Sequence, residues 1–321
     1  MLRPGPLVVF AALTALVGSA GAGEWPDKPV RIIYPYAAGS TGDTTARLIA
    51  RRLSDRFGQP FIVENRVGAN GVIGTELVAR SAPDGHTLLW AATPQIAISP
   101  AMIKVPFDPV KDFVPITAVS TNRFALIVNS AVPAKTVKEF LDYVRAQPKG
   151  FAYAEGGVGS ISHLAMVLLL DRAGLKGTNV SYKGTVPALT DVIAGHLPAM
   201  FSLFGDALAQ KDSGTIRLLA VSSEQPSPQA PGVPTIAESG FPGFMAMSWW
   251  GLMAPAGTSK AIVEQIAEEV GKATKDPKIV KQMAVFGVDP VGNSPAQFSA
   301  MISADIGLWT KAVKAAGLQA K

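Results

Sequence analysis

Few residues in this chain are equipped to break or make a bond. It holds no cysteine and three histidines, His86, His163 and His196. Without cysteine there is no disulfide, no thiolate metal site and no thiol nucleophile. The histidines fall near a turn, a helix start and a helix end, and no two have ligand spacing on one helix. The G-x-S-x-G, Walker and H-E-x-x-H patterns are missing. Ser160 and His163 are the one pair whose closeness suggests a nucleophile and a base. A serine capping a helix, with a histidine in its first turn, accounts for them better. The expected catalytic set is therefore empty, with no metal and no cofactor.

The chemistry on offer is that of the backbone. Residues 30–34 (VRIIY) form a short, partly β-branched apolar run that suits a strand covered on both faces. Pro35 weakens pairing, Gly39 and Gly42 permit tight turning, and Thr41 or Asp43 can cap the helix that follows. The first turn of a helix carries N–H groups without intrahelical partners at the positive end of the helix dipole, which makes such a corner an anion site. The device recurs. Residues 151–154 read as a strand, 155–160 (EGGVGS) as a glycine-rich loop, and a hydroxyl-bearing helix start follows. In open α/β sheets ligands sit outside the carboxyl ends of strands. Two such corners facing one another would hold a carboxylate without any arginine. Tyr36, Thr93, Gln95, Ser160, Ser162 and Ser202 are the side chains placed to add contacts.

The elements that must position these corners follow from periodicity. A helix over 43–57 buries Ala46, Ile49, Ala50, Leu53 and Phe57 on one face. Strands are expected over 61–64 and 87–91, with a helix to about Arg80 between them. Gly68, Gly71 and Gly74 lack the tight G-x-G of a dinucleotide fingerprint. The pattern β-α-β-α-β implies a parallel sheet with helices on both faces. Residues from about 124 to 225 make a second α/β unit, with strands at 124–128, 151–154, 180–182, 197–204 and 216–221. Prolines 226, 228, 231 and 234 mark a linker. An apolar segment 245–253 and three amphipathic helices, near 259–275, 277–286 and 295–316, end the chain. Those helices have no sheet of their own and are expected to pack back on the first unit.

Composition narrows the partners. The net charge is +5, with no Lys/Arg cluster and no aromatics interleaved with basic residues, which argues against nucleic acid. Residues 1–22 have the form of a cleavable secretory signal: Arg3, an apolar core over 7–17 and an A-x-A site at 20–22. No later segment is apolar for long enough to cross a bilayer. Export with solubility points to the periplasm or the outside.

Several stretches resemble the Bug family of periplasmic solute-binding proteins, the receptors of tripartite tricarboxylate transporters. They include WPDKPV at 25–30, PYAAG at 35–39 with Asp43 and Ala46-Arg47, VENR at 63–66 with Gly71, and PDGHT at 83–87. Further on stand SHL at 162–164, YKG at 182–184, VPT at 233–235 and the segment 249–257. The resemblance covers nearly everything from Trp25 onward. It implies an α/β, two-lobe periplasmic-binding-protein fold, type II-like, each lobe a mixed or parallel sheet with flanking helices, and a cleft between lobes. The division expected is 23–123 plus 228–321 for lobe 1 and 124–227 for lobe 2, closing on ligand. It also implies that one ligand carboxylate is held by the loops 36–42 and 157–163, largely through N–H groups and bound water. By position these contacts fall on Tyr36, Ala38, Ser40, Thr41, Gly159, Ser160 and Ser162. Thr93, Gln95, Ser202 and Phe204 are the candidates for the ligand's far end. Ser40 stands where the family often has glycine, and Ser202 where it often has aspartate. The second departure suits a ligand with a second anionic or apolar end over one with an amino group. The expected function is a monomeric periplasmic receptor that captures a di- or tricarboxylate or an aromatic acid and delivers it to integral-membrane transporter subunits. The alternatives are a periplasmic sensor feeding a signalling partner and, last, a secreted serine hydrolase using Ser160 and His163.

Overall fold

The structure is a computed structural model that describes residues 25–147, 150–285 and 287–319. The expected signal segment 1–22 lies outside the described residues. The chain opens with β1 (Val30–Tyr34), α1 (Thr41–Phe57), β2 (Phe61–Asn65), α2 (Val72–Ala79) and β3 (Thr87–Ala92). β1 pairs in parallel with both β2 and β3, as the alternation of strands and helices requires. Ile32 and Leu88 face one side, where they pack with Ile49 and Leu53 of α1. Ile33 and Leu89 face the other and pack with Val72 and Val78 of α2. This is the period-2 division of a strand buried on both faces.

After a wide helical turn at Pro94–Ile98 and a short α3 (Ser99–Met102) comes β4 (Phe113–Asn129). This strand was expected to begin near 124. Its first eleven residues escape the periodicity because Pro115 and two register shifts, at Pro115/Thr117 and Ala118/Ser120, break the alternation. Thr117 is fully buried there, its Oγ1 donating to the Asn293 carbonyl at 2.7 Å.

β4 belongs to both sheets. The second unit adds α4 (Val137–Arg145), β5 (Ala152–Glu155), α5 (Ile161–Arg172), β6 (Thr178–Ser181), α6 (Thr185–Ile193), β7 (Ala199–Leu203), α7 (Phe204–Ala209) and β8 (Ile216–Val221). The chain closes with β9 (Met247–Pro255), α8 (Lys260–Ala273), α9 (Pro277–Val285), β10 (Asp289–Pro290) and α10 (Pro295–Ala315). The strand order is β2-β1-β3-β9-β4-β7-β5-β6, with β10 and β8 also on β4. From Phe113 to Arg123, β4 runs antiparallel to β9, and from Phe124 to Asn129 it runs antiparallel to β7 and β8. The change of partner at Arg123/Phe124 joins the two sheets through a continuous strand.

The expected assignment of 228–321 to the first unit needs correction. α8 does pack on α1, where Arg52 reaches the buried Glu269 at 2.8 Å. Residues Ile236, Phe244 and Ala246, however, share a core with Phe140, Leu164 and Phe201 of the second unit. α10 straddles both: Phe298 and Ile302 lie in the first unit's core, and Trp309, Ala312 and Val313 in the second's. A helix of 21 residues is roughly 30 Å long, enough to reach across both cores. Among the described residues no helix is long and apolar enough to cross a membrane.

Candidate functional site

The two glycine-bearing corners line a single cleft of about 510 Å³. The first sheet contributes Tyr34, Tyr36, Ser40, Thr41, Gly42, Asn70, Ser248 and Trp250. The second contributes 156–162, Thr185 and Leu203. Asn122 and Phe124 come from β4 on either side of its change of partner, and Pro94, Ile98, Ser99 and Met102 from the turn after β3.

At the first corner Ser40 caps α1, with extended dihedrals (φ −72°, ψ 163°) and Oγ accepting from the Asp43 N–H at 3.3 Å. The same Oγ lies 2.8 Å from the Tyr34 hydroxyl. Asp43 is buried and ties the corner together. Its carboxylate accepts from Gly39 N–H at 3.0 Å, from Arg47 Nε at 3.0 Å and from Asn65 Nδ2 at 2.9 Å. Burial raises its pKa, but Arg47, Gly39 and Asn65 together hold it below the usual carboxylate value. Gly42 is needed for space. A Cβ there would lie 2.4 Å from the Tyr34 hydroxyl and 2.7 Å from Trp250 Nε1.

The second corner repeats the cap. Ser160 has φ −67° and ψ 161°, and its Oγ accepts from His163 N–H at 3.2 Å. Buried Glu155 takes the place of Asp43, accepting from the Gly157 N–H and from Asn179 Nδ2 at 3.2 Å. Several N–H groups of this loop are already engaged. Gly156 donates to Ser162 Oγ at 2.9 Å, Gly159 to His163 Nδ1 at 3.1 Å and Ser160 to the Gly157 carbonyl at 2.8 Å. The groups left without an intrahelical acceptor are those of Thr41 and Gly42 at one helix start and Ile161 and Ser162 at the other. All four residues line the cleft. Among the described residues no lysine, arginine, histidine, aspartate or glutamate lines it. An anion there meets two helix N-termini, N–H groups and hydroxyls, and no side-chain cation.

Of the residues singled out from sequence, Tyr36, Ser40, Thr41, Gly159, Ser160 and Ser162 line this cleft, and Ala38, Thr93, Gln95, Ser202 and Phe204 do not. Ala38 is exposed outside it. Thr93 and Gln95 stand behind the wall because the expected loop after β3 is a buried helical turn. Thr93 Oγ1 accepts from Trp249 N–H at 3.0 Å, and Gln95 Oε1 accepts from the Tyr36 hydroxyl at 2.9 Å. Burial pushes the Tyr36 hydroxyl far above its ordinary pKa, so Tyr36 is a fixed donor. Ser202 is fully buried opposite Ala125 within the second sheet. Phe204 opens α7 beneath the Arg123 guanidinium, 5.5 Å from its ring centre. Sequence reasoning missed Tyr34, Asn122, Phe124, Ser248 and Trp250. The adjacent tryptophans held a usable signal: on a strand one of two neighbours faces away, and Trp249 is in the core while Trp250 lines the cleft.

The geometry removes the hydrolase alternative. His163 Nδ1 accepts from Gly159 N–H, and Ser160 Oγ is 2.9 Å from Ser162 Oγ, so the imidazole and the hydroxyl do not form a dyad. Burial lowers the His163 pKa, in keeping with a neutral ring whose Nδ1 accepts.

Comparison with known proteins identifies the family and the fold. The model of the tripartite tricarboxylate transporter family receptor matches residues 45–318. Protein BugT of Bordetella pertussis (strain Tohama I) is 33% identical over 315 residues, which cover 98% of this chain and 97% of BugT. A protein of R. palustris solved with adipate aligns with a TM-score of 0.75 at 32% identity, over 92% of this chain and 99% of that one. MatC from Rhodopseudomonas palustris with bound malate gives a TM-score of 0.72 at 30% identity, over 90% of this chain and all (100%) of MatC. The fold is that of the periplasmic binding proteins, and the chain belongs to the receptor family of the tripartite tricarboxylate transporters, a family of solute-binding proteins and not of enzymes.

Proposed function

We propose that this protein captures a small carboxylate in the cleft between its two sheets and delivers it to the membrane subunits of a tripartite transporter. The N–H groups of Thr41, Gly42, Ile161 and Ser162 receive one carboxylate, with Ser40, Ser160 and Ser162 hydroxyls at its edges. The supporting observation is the pair of capped helix starts that line one cleft whose walls carry no ionised side chain. An anion at two positive helix ends needs no arginine, and the hydroxyls add neutral donors. The adipate and malate held by the two R. palustris relatives each present a carboxylate, the group this reading places at the helix starts. The apolar leader of residues 1–22 carries the chain to the periplasm and is cleaved, and the receptor works there as a monomer.

Thermal unfolding with a panel of mono-, di- and tricarboxylates tests the reading. A ligand that binds only the folded state raises Tm with its concentration, by roughly 2.7 kcal/mol of stability at a hundred times its Kd. A panel without any shift in Tm and without calorimetric heat contradicts it. Mass spectrometry of small molecules released from the native protein identifies the ligand itself.

A further inference from the structure

We propose that Asn122 and Ser248 form an uncharged polar subsite in the cleft, and that the ligand is a monocarboxylate whose apolar, uncharged body carries a hydroxyl at this point. The proposal rests on the reading of the cleft as a carboxylate site and adds the rest of the ligand to it.

Asn122 of β4 and Ser248 of β9 are register partners in the antiparallel pair, and both line the cleft. Asn122 is 6% exposed and Ser248 8% exposed. Asn122 Oδ1 is buried without a hydrogen-bond partner among the described residues, and the Ser248 hydroxyl belongs to its register partner across the strand pair. Buried polar atoms in native proteins are nearly always paired, so an unpaired carboxamide on a residue that lines the cleft calls for a hydrogen-bonding group from a ligand. A hydroxyl both donates and accepts, and therefore suits the carboxamide in either orientation.

The charge of the cleft sets the rest. Two helix N-termini offer about half an elementary charge each, which matches one carboxylate. A second carboxylate would enter a cleft that has no lysine, arginine or histidine in its lining among the described residues. The cation nearest in sequence, Arg123, projects from the other face of β4 and holds Asp289 at 2.7 Å. An unpaired charge buried in that way is strongly disfavoured. The body of the ligand meets Trp250, Phe124, Ile98, Met102 and Leu203. Ser248 is two residues from Trp250 on the same face of β9, about 7 Å along the strand. Trp250 in turn packs at Gly42, at the carboxylate corner. One aromatic ring or a short alkyl chain spans that gap.

The test is calorimetric titration of the full chain with benzoate, 3- and 4-hydroxybenzoate, hexanoate and 6-hydroxyhexanoate, set against succinate, adipate and citrate. The expected result is that a hydroxylated monocarboxylate binds about tenfold more tightly than its parent and more tightly than every di- and tricarboxylate. In Asn122→Leu that ratio should fall to about one, with the ligand-free Tm unchanged or raised. Ser248→Ala, a smaller change, should lower the ratio in the same direction and serves if Asn122→Leu fails to fold. A preference for adipate or citrate that Thr41→Pro abolishes leaves the carboxylate reading standing and overturns this proposal. A ratio that persists in both variants also overturns it. Binding of no carboxylate at all overturns both.

Discussion

Thr41 is the first helical residue of α1, where proline is tolerated and even favoured, because the N–H it lacks has no intrahelical acceptor. The residue before it, Ser40, already has the extended dihedrals that proline demands of its predecessor, at φ −72° and ψ 163°. Thr41→Pro therefore deletes one N–H donor from the cleft with little cost to the fold. Substitutions of this kind at compatible positions tend to stabilise, by about 0.4–1 kcal/mol. The Thr41 carbonyl survives and continues to accept from Thr45 Oγ1 at 2.7 Å. A hydrogen bond to a charged group contributes about 1.5–3 kcal/mol, so the variant should bind carboxylate roughly 10- to 150-fold more weakly. Thr41→Val is the control: it keeps the N–H and the shape, loses the hydroxyl, and should stay much closer to the parent protein. Isothermal calorimetry gives the affinities, and thermal unfolding without ligand confirms the fold. Thr41→Pro that folds normally and binds with the parent affinity would refute the idea that this N–H holds the ligand.

Three further outcomes follow from the packing and the buried charges. Gly42→Ala places a Cβ 2.4 Å from the Tyr34 hydroxyl and should weaken binding at least tenfold, with about 1–3 kcal/mol lost in denaturant unfolding. Gly251→Ala sets a Cβ 2.7 Å from the Thr117 carbonyl and 2.4 Å from the Phe298 ring, so the β4–β9 seam should lose about 1–3 kcal/mol or more, read as a lower Tm. Asp305, which accepts from Trp249 Nε1 at 2.7 Å, has its pKa pushed up to about 6 by burial, against the opposing effect of that bond. Its folded form keeps a proton that the unfolded chain has released above about pH 4, so its contribution to stability falls as pH rises from about 4 through 6. Asp305→Asn keeps an acceptor for Trp249 and should be about 1–3 kcal/mol more stable than the parent at pH 7.5, with no difference below about pH 4. Equal pH profiles for the two proteins would contradict that assignment.

Local signals placed the parallel strands, most helices and both glycine-bearing corners, because each depends on nearby residues such as Ile32 against Ile33 and Ser160 before His163. The first helix, however, is capped by Ser40 and not by Thr41 or Asp43 as expected, because it begins two residues earlier than its apolar face suggests. Where the chain departs from the expectation, the cause is a contact distant in sequence. β4 hides its first half because Thr117 and Ala118 bond Asn293, some 175 positions away. α10 was assigned to one unit because periodicity reports that a face is apolar and says nothing of which core it enters. The candidate site divides the same way. Ser40, Thr41, Ser160 and Ser162 follow from the corners that carry them. Asn122 and Ser248 become neighbours only through strand register, and Gln95 and Thr93 leave the cleft wall because a presumed loop is a buried turn. The Gly159 N–H, expected to face the ligand, is held by His163, a bond that only coordinates display.

The central claim is that two helix starts grip one carboxylate together. Two-dimensional amide NMR of the ¹⁵N-labelled protein, titrated with the tightest-binding carboxylate of the panel, reads it directly. The account predicts that the amide protons of Thr41, Gly42, Ile161 and Ser162 all move downfield along one saturation curve. Movement at only one of the two corners, or separate curves for the two, would contradict it.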